Sequence, residues 1–168
     1  PESFLPTLFE FSKENDIYII AGTHYKKVTN GYKSVCPVVL PQGVYFTDKI
    51  HPAPAELSSF PGEGLVHGDE VLVFEGTKIG NFAVTICGDF LSEEIKNAIG
   101  IENIDVLFLP AFMNHSEMYY ARMQNAVENS SNGLYILYSN FIQNSMSADG
   151  KSALFACCDR LYLEQWKE

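Results

Sequence analysis

The chain has 168 residues, of which 46% are apolar and 19% charged, with a net charge of −10. That composition excludes a disordered chain, and the length suits one domain, residues 1–168, with a sizeable core. The negative balance argues against a nucleic-acid or anionic-membrane partner, and no apolar run approaches a membrane span.

Apolar residues at Phe4, Leu5, Leu8, Phe9 and Phe11, with Pro6 near the start, predict a helix over Phe4–Asn15. Tyr18–Gly22 reads as a buried strand, and Tyr25–Tyr32 as a polar loop with a turn at Asn30-Gly31. Val35–Leu40 and Val44–Thr47 form a hairpin about Pro41-Gln42-Gly43, delivering Asp48-Lys49-Ile50-His51 to one end of a sheet. Pro52, Pro54 and Pro61 predict an irregular loop to about Gly68, carrying Glu56, Glu63 and His67. Val71–Phe74 and Lys78–Ile86 make a second hairpin, turning at Glu75-Gly76-Thr77. A helix follows over Ser92–Ile99, then a strand at Asp105–Leu109 and a helix at Glu117–Asn132. Leu134–Ser139 is a strand, Asn140–Lys151 a polar loop, and Ala153–Cys157 a last short strand. Hairpins mixed with strand–helix–strand units predict an α+β protein with mixed sheets and outer helices.

The stretch Phe82–Asp89 carries the chemistry. An apolar, β-branched strand stops at Cys87-Gly88-Asp89 before a helix. A cysteine there is lifted clear of the sheet, Gly88 allows a tight turn, and nearby N–H groups stabilise a thiolate or an oxyanion. The plainer alternative is a buried cysteine that fills space. The other cysteines, Cys36, Cys157 and Cys158, show no CxxC spacing or disulfide framework, which predicts a reducing compartment, the cytoplasm. Lys49 at a strand end is either a solvated lysine or a fixed cation for an oxyanion. Glu56 is either an exposed loop carboxylate or its neighbour. His24 and His51 are further candidate bases or ligands.

Taken in order, Tyr18–Thr23, Asp48–His51, Gly68-Asp69, Ile86–Asp89 with Glu94, Leu109–Ala111, Ala126–Asn129, Ser139-Asn140 and Gly150–Ser152 resemble the nitrilase, or carbon–nitrogen hydrolase, superfamily. The resemblance implies a four-layer α-β-β-α sandwich that hydrolyses non-peptide C–N bonds in small amides, nitriles or carbamoyl compounds. It implies a Glu–Lys–Cys triad, no cofactor and no metal, with Cys87 as nucleophile, Lys49 stabilising the oxyanion and Glu56 as the glutamate beside it. Gly88, Ala111 and Phe112 are the implied oxyanion and substrate contacts. The family's first catalytic glutamate has no clear match, Glu2 being a poor one, and its usual large residue and arginine are replaced by Gly88 and Leu91. The expectation is therefore a sandwich lacking its first strand and C-terminal tail, which associates as a dimer or higher oligomer. A non-catalytic binding module, and an amide- or acyl-transferring relative, are the alternatives.

Overall fold

The computed structural model describes residues 2–58, 64–113, 116–143 and 148–157. Glu63 and Cys158, and the side chain of Glu2, lie outside the described residues. Helix α1 (Leu5–Asn15) has proline in its first turn and ends where Asp16 takes a left-handed conformation with φ 51°. Strand β1 is only Ile19–Ile20, because it pairs with Val38 and Val39 and then turns away at Gly22, whose φ is 77°. The segment read as a polar loop is instead strand β2 (His24–Val28), hairpinned onto β3 (Gly31–Leu40). Its polar residues suit an edge strand with one solvated face. Strand β4 (Gly43–Asp48) pairs along β3 from Leu40 to Val35, completing an antiparallel first sheet.

The proline-rich segment is not wholly irregular. Pro54 starts a short helix, α2 (Pro54–Ser58), where its missing N–H costs nothing. The second sheet has the order β11-β8-β7-β6-β5. Strands β5 (Val73–Thr77) and β6 (Gly80–Val84) form its hairpin, with an irregularity between Phe74 and Thr77. The turn thus falls at Lys78-Ile79, later than the predicted Glu75–Thr77, and Gly80 holds φ 88° there. Helix α3 (Glu93–Ala98) is capped by Ser92, whose hydroxyl accepts from Ile95 N at 3.4 Å. Strand β7 (Val106–Ala111), helix α4 (Glu117–Glu128) and strand β8 (Tyr135–Asn140) follow, with β6, β7 and β8 mutually parallel. Short strands β9 (Ile142–Gln143) and β10 (Ala148–Asp149) pair within the predicted polar loop, and β11 (Ala153–Phe155) returns antiparallel to β8.

The period of two along each strand divides the apolar residues between two cores. Ala83, Leu107, Leu109, Ile136 and Tyr138 face α3 and α4, packing on Ile95, Ile99, Met123 and Val127. Cys36, Val38 and Leu40 of the first sheet meet Phe82, Val84 and Ile86 of the second. Phe82 centres this inner core, stacked on Phe74 at 4.5 Å and meeting Phe108 edge-on at 5.6 Å. Each such pair adds about 0.5–1.5 kcal/mol to the burial term. Helix α1 packs on β3 and β4, so the layers run α-β-β-α as expected. Among the described residues no helix is long and apolar enough to cross a membrane.

Candidate active site

Lys49 follows the last residue of β4 and is 3% exposed. Its backbone is fixed on both sides: Lys49 N donates to Ser34 O at 2.8 Å, and Gly68 N donates to Lys49 O at 3.0 Å. A side chain at position 68 would sit 2.6 Å from Lys49 O and closer still to Asp48 Cβ, so only glycine allows this approach. The neighbouring Asp48 carboxylate accepts from Lys33 Nζ at 2.8 Å and from Asp69 N at 3.2 Å. Lys33 also reaches Asp69 at 2.5 Å, which holds the exposed Asp69 carboxyl below the usual carboxylate range.

Glu56 is placed by the start of α2. Ala53 is the residue before the helix, Pro54 its first and Glu56 its third. Glu56 Oε2 reaches back to accept from Ala53 N at 2.7 Å, half of a capping box. The same oxygen accepts from Lys49 Nζ. Glu56 Oε1 lies 3.5 Å from the Tyr25 hydroxyl, and burial followed by the Glu56 charge raises the Tyr25 phenol.

Strand β6 runs out through Thr85 and Ile86 to Cys87, which opens a short 3₁₀ turn, Cys87–Leu91. The left-handed residue of that turn is Cys87 itself, with φ 55°. Gly88 has no positive φ, and a Cβ there would meet nothing within 4 Å, so the turn does not depend on glycine at 88 as the sequence reading supposed. A non-glycine residue in this conformation costs about 1–2 kcal/mol. Asp89, two residues on, is fully buried. Its carboxylate accepts from Ile50 N at 2.8 Å and His51 N at 2.9 Å, while burial pushes its carboxyl above the ordinary range.

A cavity of about 300 Å³ joins these parts, lined by Lys49, Glu56 and Cys87 together with Ile86, Ala111 and Phe112. Gly88 adjoins Cys87 in the chain but is not among the lining residues. The lining also holds Thr23, which ends the Tyr18–Thr23 motif, the candidate His24, and Tyr25, which the sequence does not single out. The signal for Tyr25 was the Asn30-Gly31 turn, which marks two flanking strands rather than a loop. His51 is exposed and outside the lining, its ring 6.1 Å from that of His67, whose Nδ1 lies 2.9 Å from Ile50 O. Among the described residues no three His, Cys, Asp or Glu side chains gather to hold a metal ion.

Asn140 accounts for two of the sequence motifs. Its Oδ1 accepts from Met113 N at 2.8 Å, and its Nδ2 donates to Met113 O at 2.9 Å and Gly150 O at 2.7 Å. Ser152 Oγ accepts from Asn140 N at 3.0 Å. The buried amide thus pins the loop that carries Phe112 to the end of β8.

No family model and no curated protein matches the sequence. Solved structures do match the fold. Nit3 of Saccharomyces cerevisiae, a member of branch 10 of the nitrilase superfamily, superposes with a TM-score of 0.70 at 17% identity, over 92% of this chain and 57% of its own. A variant of the amidase from Nesterenkonia sp. AN1, in complex with butyramide, gives 0.67 at 14% identity, over 90% and 58%. The glutamine-dependent NAD+ synthetase of Acinetobacter baumannii gives 0.62 at 17%, over 90% of this chain and 30% of that one. The chain spans under three-fifths of the length of the first two, 57% and 58%, and its fold is that of the nitrilase, or carbon–nitrogen hydrolase, superfamily.

Proposed function

We propose that this chain carries the thiol site of a carbon–nitrogen hydrolase acting on a small amide-type substrate. The observation that carries the reading is the meeting of Cys87, Lys49 and Glu56, from three separate segments, on one small cavity. The Cys87 sulfur attacks the substrate carbon, its proton passes to the leaving nitrogen, and the amine departs as a thioester forms. Water then attacks the thioester carbon, releasing the acid and restoring the thiol. The Lys49 ammonium, buried and oriented by Glu56, faces the oxyanion that develops in both steps, where a low-dielectric setting strengthens its effect. Among the described residues Glu56 is the carboxylate of the cavity wall and the candidate to relay the proton.

The cavity volume of about 300 Å³ is at the small end for ligand sites. With Ile86, Ala111 and Phe112 in its wall, it suits a short acyl group next to the amide. In another variant of the Nesterenkonia amidase the acetamide moiety of fluoroacetamide is covalently bound at the active-site cysteine. The same reagent tests this chain. Fluoroacetamide should add one acetamide moiety at Cys87, read by peptide mass spectrometry, and Cys87→Ala should abolish both the adduct and ammonia release from short amides. Modification at Cys157 with Cys87 untouched, or turnover surviving Cys87→Ala, would defeat the proposal. We further place the protein in the cytoplasm, as an oligomer. The exposed apolar residues of the second sheet, Leu137 and Leu154, support association.

A further inference from the structure

Lys49 and Cys87 belong to different sheets. Their separation is set across an interface whose apolar contacts are non-directional and do not by themselves fix a distance between two strand ends. Among the described residues, two polar ties cross that interface, each made by a buried side chain. Before the site, Thr47 Oγ1 donates to Val84 O at 3.2 Å, and Thr47 is fully buried. Beyond the site, the Asp89 carboxylate accepts from Ile50 N at 2.8 Å and His51 N at 2.9 Å. On one chain segment the ties fall at 47 and at 50–51, either side of Lys49. On the other they fall at 84 and 89, either side of Cys87.

We propose that Thr47 and Asp89 are positioning residues, a pair of staples that bracket Lys49 and Cys87 and set the distance between ammonium and thiol. The proposal rests on the reading of Cys87 and Lys49 as the reacting pair. Hydrogen bonds are directional, so each staple fixes orientation as well as distance. A buried carboxylate is also an expensive way to accept two N–H groups, since it leaves lone pairs unmatched. That expense makes sense where the tie must hold a register rather than merely fill space. It also explains why the acid stands two residues past the cysteine: the 3₁₀ turn brings its side chain back toward the segment that follows Lys49.

The test is the rate of iodoacetamide alkylation at Cys87 at neutral pH, resolved by peptide mapping, which needs no turnover. The variants are Asp89→Asn, Thr47→Val, Thr47→Ser, Lys49→Met and the double variant Asp89→Asn/Lys49→Met, each checked for folding by circular dichroism. Lys49→Met should slow alkylation of Cys87. Asp89→Asn should slow it about ten-fold, less than the ~10²-fold cost of misplacement by a full ångström. Thr47→Val should slow it several-fold and Thr47→Ser, which keeps the hydroxyl, should restore it. In the Lys49→Met background Asp89→Asn should have no further effect, because it acts through Lys49. Folded Asp89→Asn and Thr47→Val proteins that react at the wild-type rate would overturn the proposal. So would an Asp89→Asn effect that persists undiminished without Lys49. If Asp89→Asn does not fold, the Thr47→Val and Thr47→Ser pair decides. A wild-type rate in Lys49→Met instead marks failure of the underlying reading of the reacting pair.

Discussion

The pairing of Lys49 with Glu56 makes a stability prediction with a definite sign. The Lys49 side chain is 4% exposed and that of Glu56 22%. Glu56→Gln keeps the shape and can still accept from Ala53 N, but removes the charge opposite a buried ammonium. Breaking a buried pair by removing one partner costs about 3–5 kcal/mol, because the other charge is left without compensation. The partial exposure of Glu56 lets water approach, so the expected loss is at the lower end, about 3 kcal/mol. For a domain stable by roughly 5–15 kcal/mol that is a large fraction. Lys49→Met/Glu56→Gln removes both charges and should return to within about 1 kcal/mol of the parent protein, since no buried charge is then left without compensation and the introduced amide keeps the bond from Ala53 N. Urea unfolding of the four proteins, with unchanged m-values, gives the coupling energy, expected at ~2 kcal/mol or more. A Glu56→Gln loss below ~0.5 kcal/mol, with additive single effects, would refute the argument and return Glu56 to the status of a surface carboxylate.

Two further outcomes follow from the same structure. Because Cys87 holds φ 55°, Cys87→Gly should be more stable than Cys87→Ala by about 0.5–1 kcal/mol, the relief of left-handed strain less glycine's greater chain entropy; equal stabilities in urea would mean the turn is unstrained. Burial pushes the Cys36 thiol up to about 12, so its proton is held in the folded state after the unfolded chain has released it. Stability from this group is complete below the unfolded value near 8.5 and is lost as pH rises from there toward about 12. Cys36→Val should flatten that alkaline decline in urea midpoint, and an unchanged slope would show that another group causes it.

The strands that read correctly from sequence are those buried by apolar runs on both faces, such as Phe82–Val84 and Leu107–Leu109. The Asn30-Gly31 turn is the one sequence signal for strand β2, because His24, Lys26 and Lys27 carry no apolar period; its pairing comes from the β3 it folds onto. The sequence points to Gly88 for the tight turn because glycine is its usual occupant, and nothing local marks Cys87 as the left-handed residue. Glu56 is legible in the sequence as a candidate but not as a cap, since three prolines predict an irregular loop rather than the first turn of α2. Asp89 enters the sequence reading only as part of the Ile86–Asp89 motif and Thr47 only as a strand end, neither as a tie between sheets. An acid before a helix and a threonine in a strand are ordinary, and only the packing of one sheet on the other gives them partners.

The place of the cavity follows from strand direction. Because β6, β7 and β8 are parallel, their carboxyl ends lie together: Cys87 after β6 and Ala111 and Phe112 at the end of β7 line the cavity, and Asn140 at the end of β8 stands beside the β7 loop. The Asn140 amide then fixes the β7 loop through both Met113 backbone groups. The first sheet supplies the cation. The β3–β4 hairpin returns the chain so that Asp48 ends over the same edge, and Gly68 closes on Lys49 from behind. Had β6 and β7 been antiparallel, Phe112 would lie a strand's length from Cys87. The parallel core therefore does more than bury apolar surface. It gathers short-range features, each weak alone, at one end of the sandwich, where a thiol, an ammonium and an apolar wall share about 300 Å³.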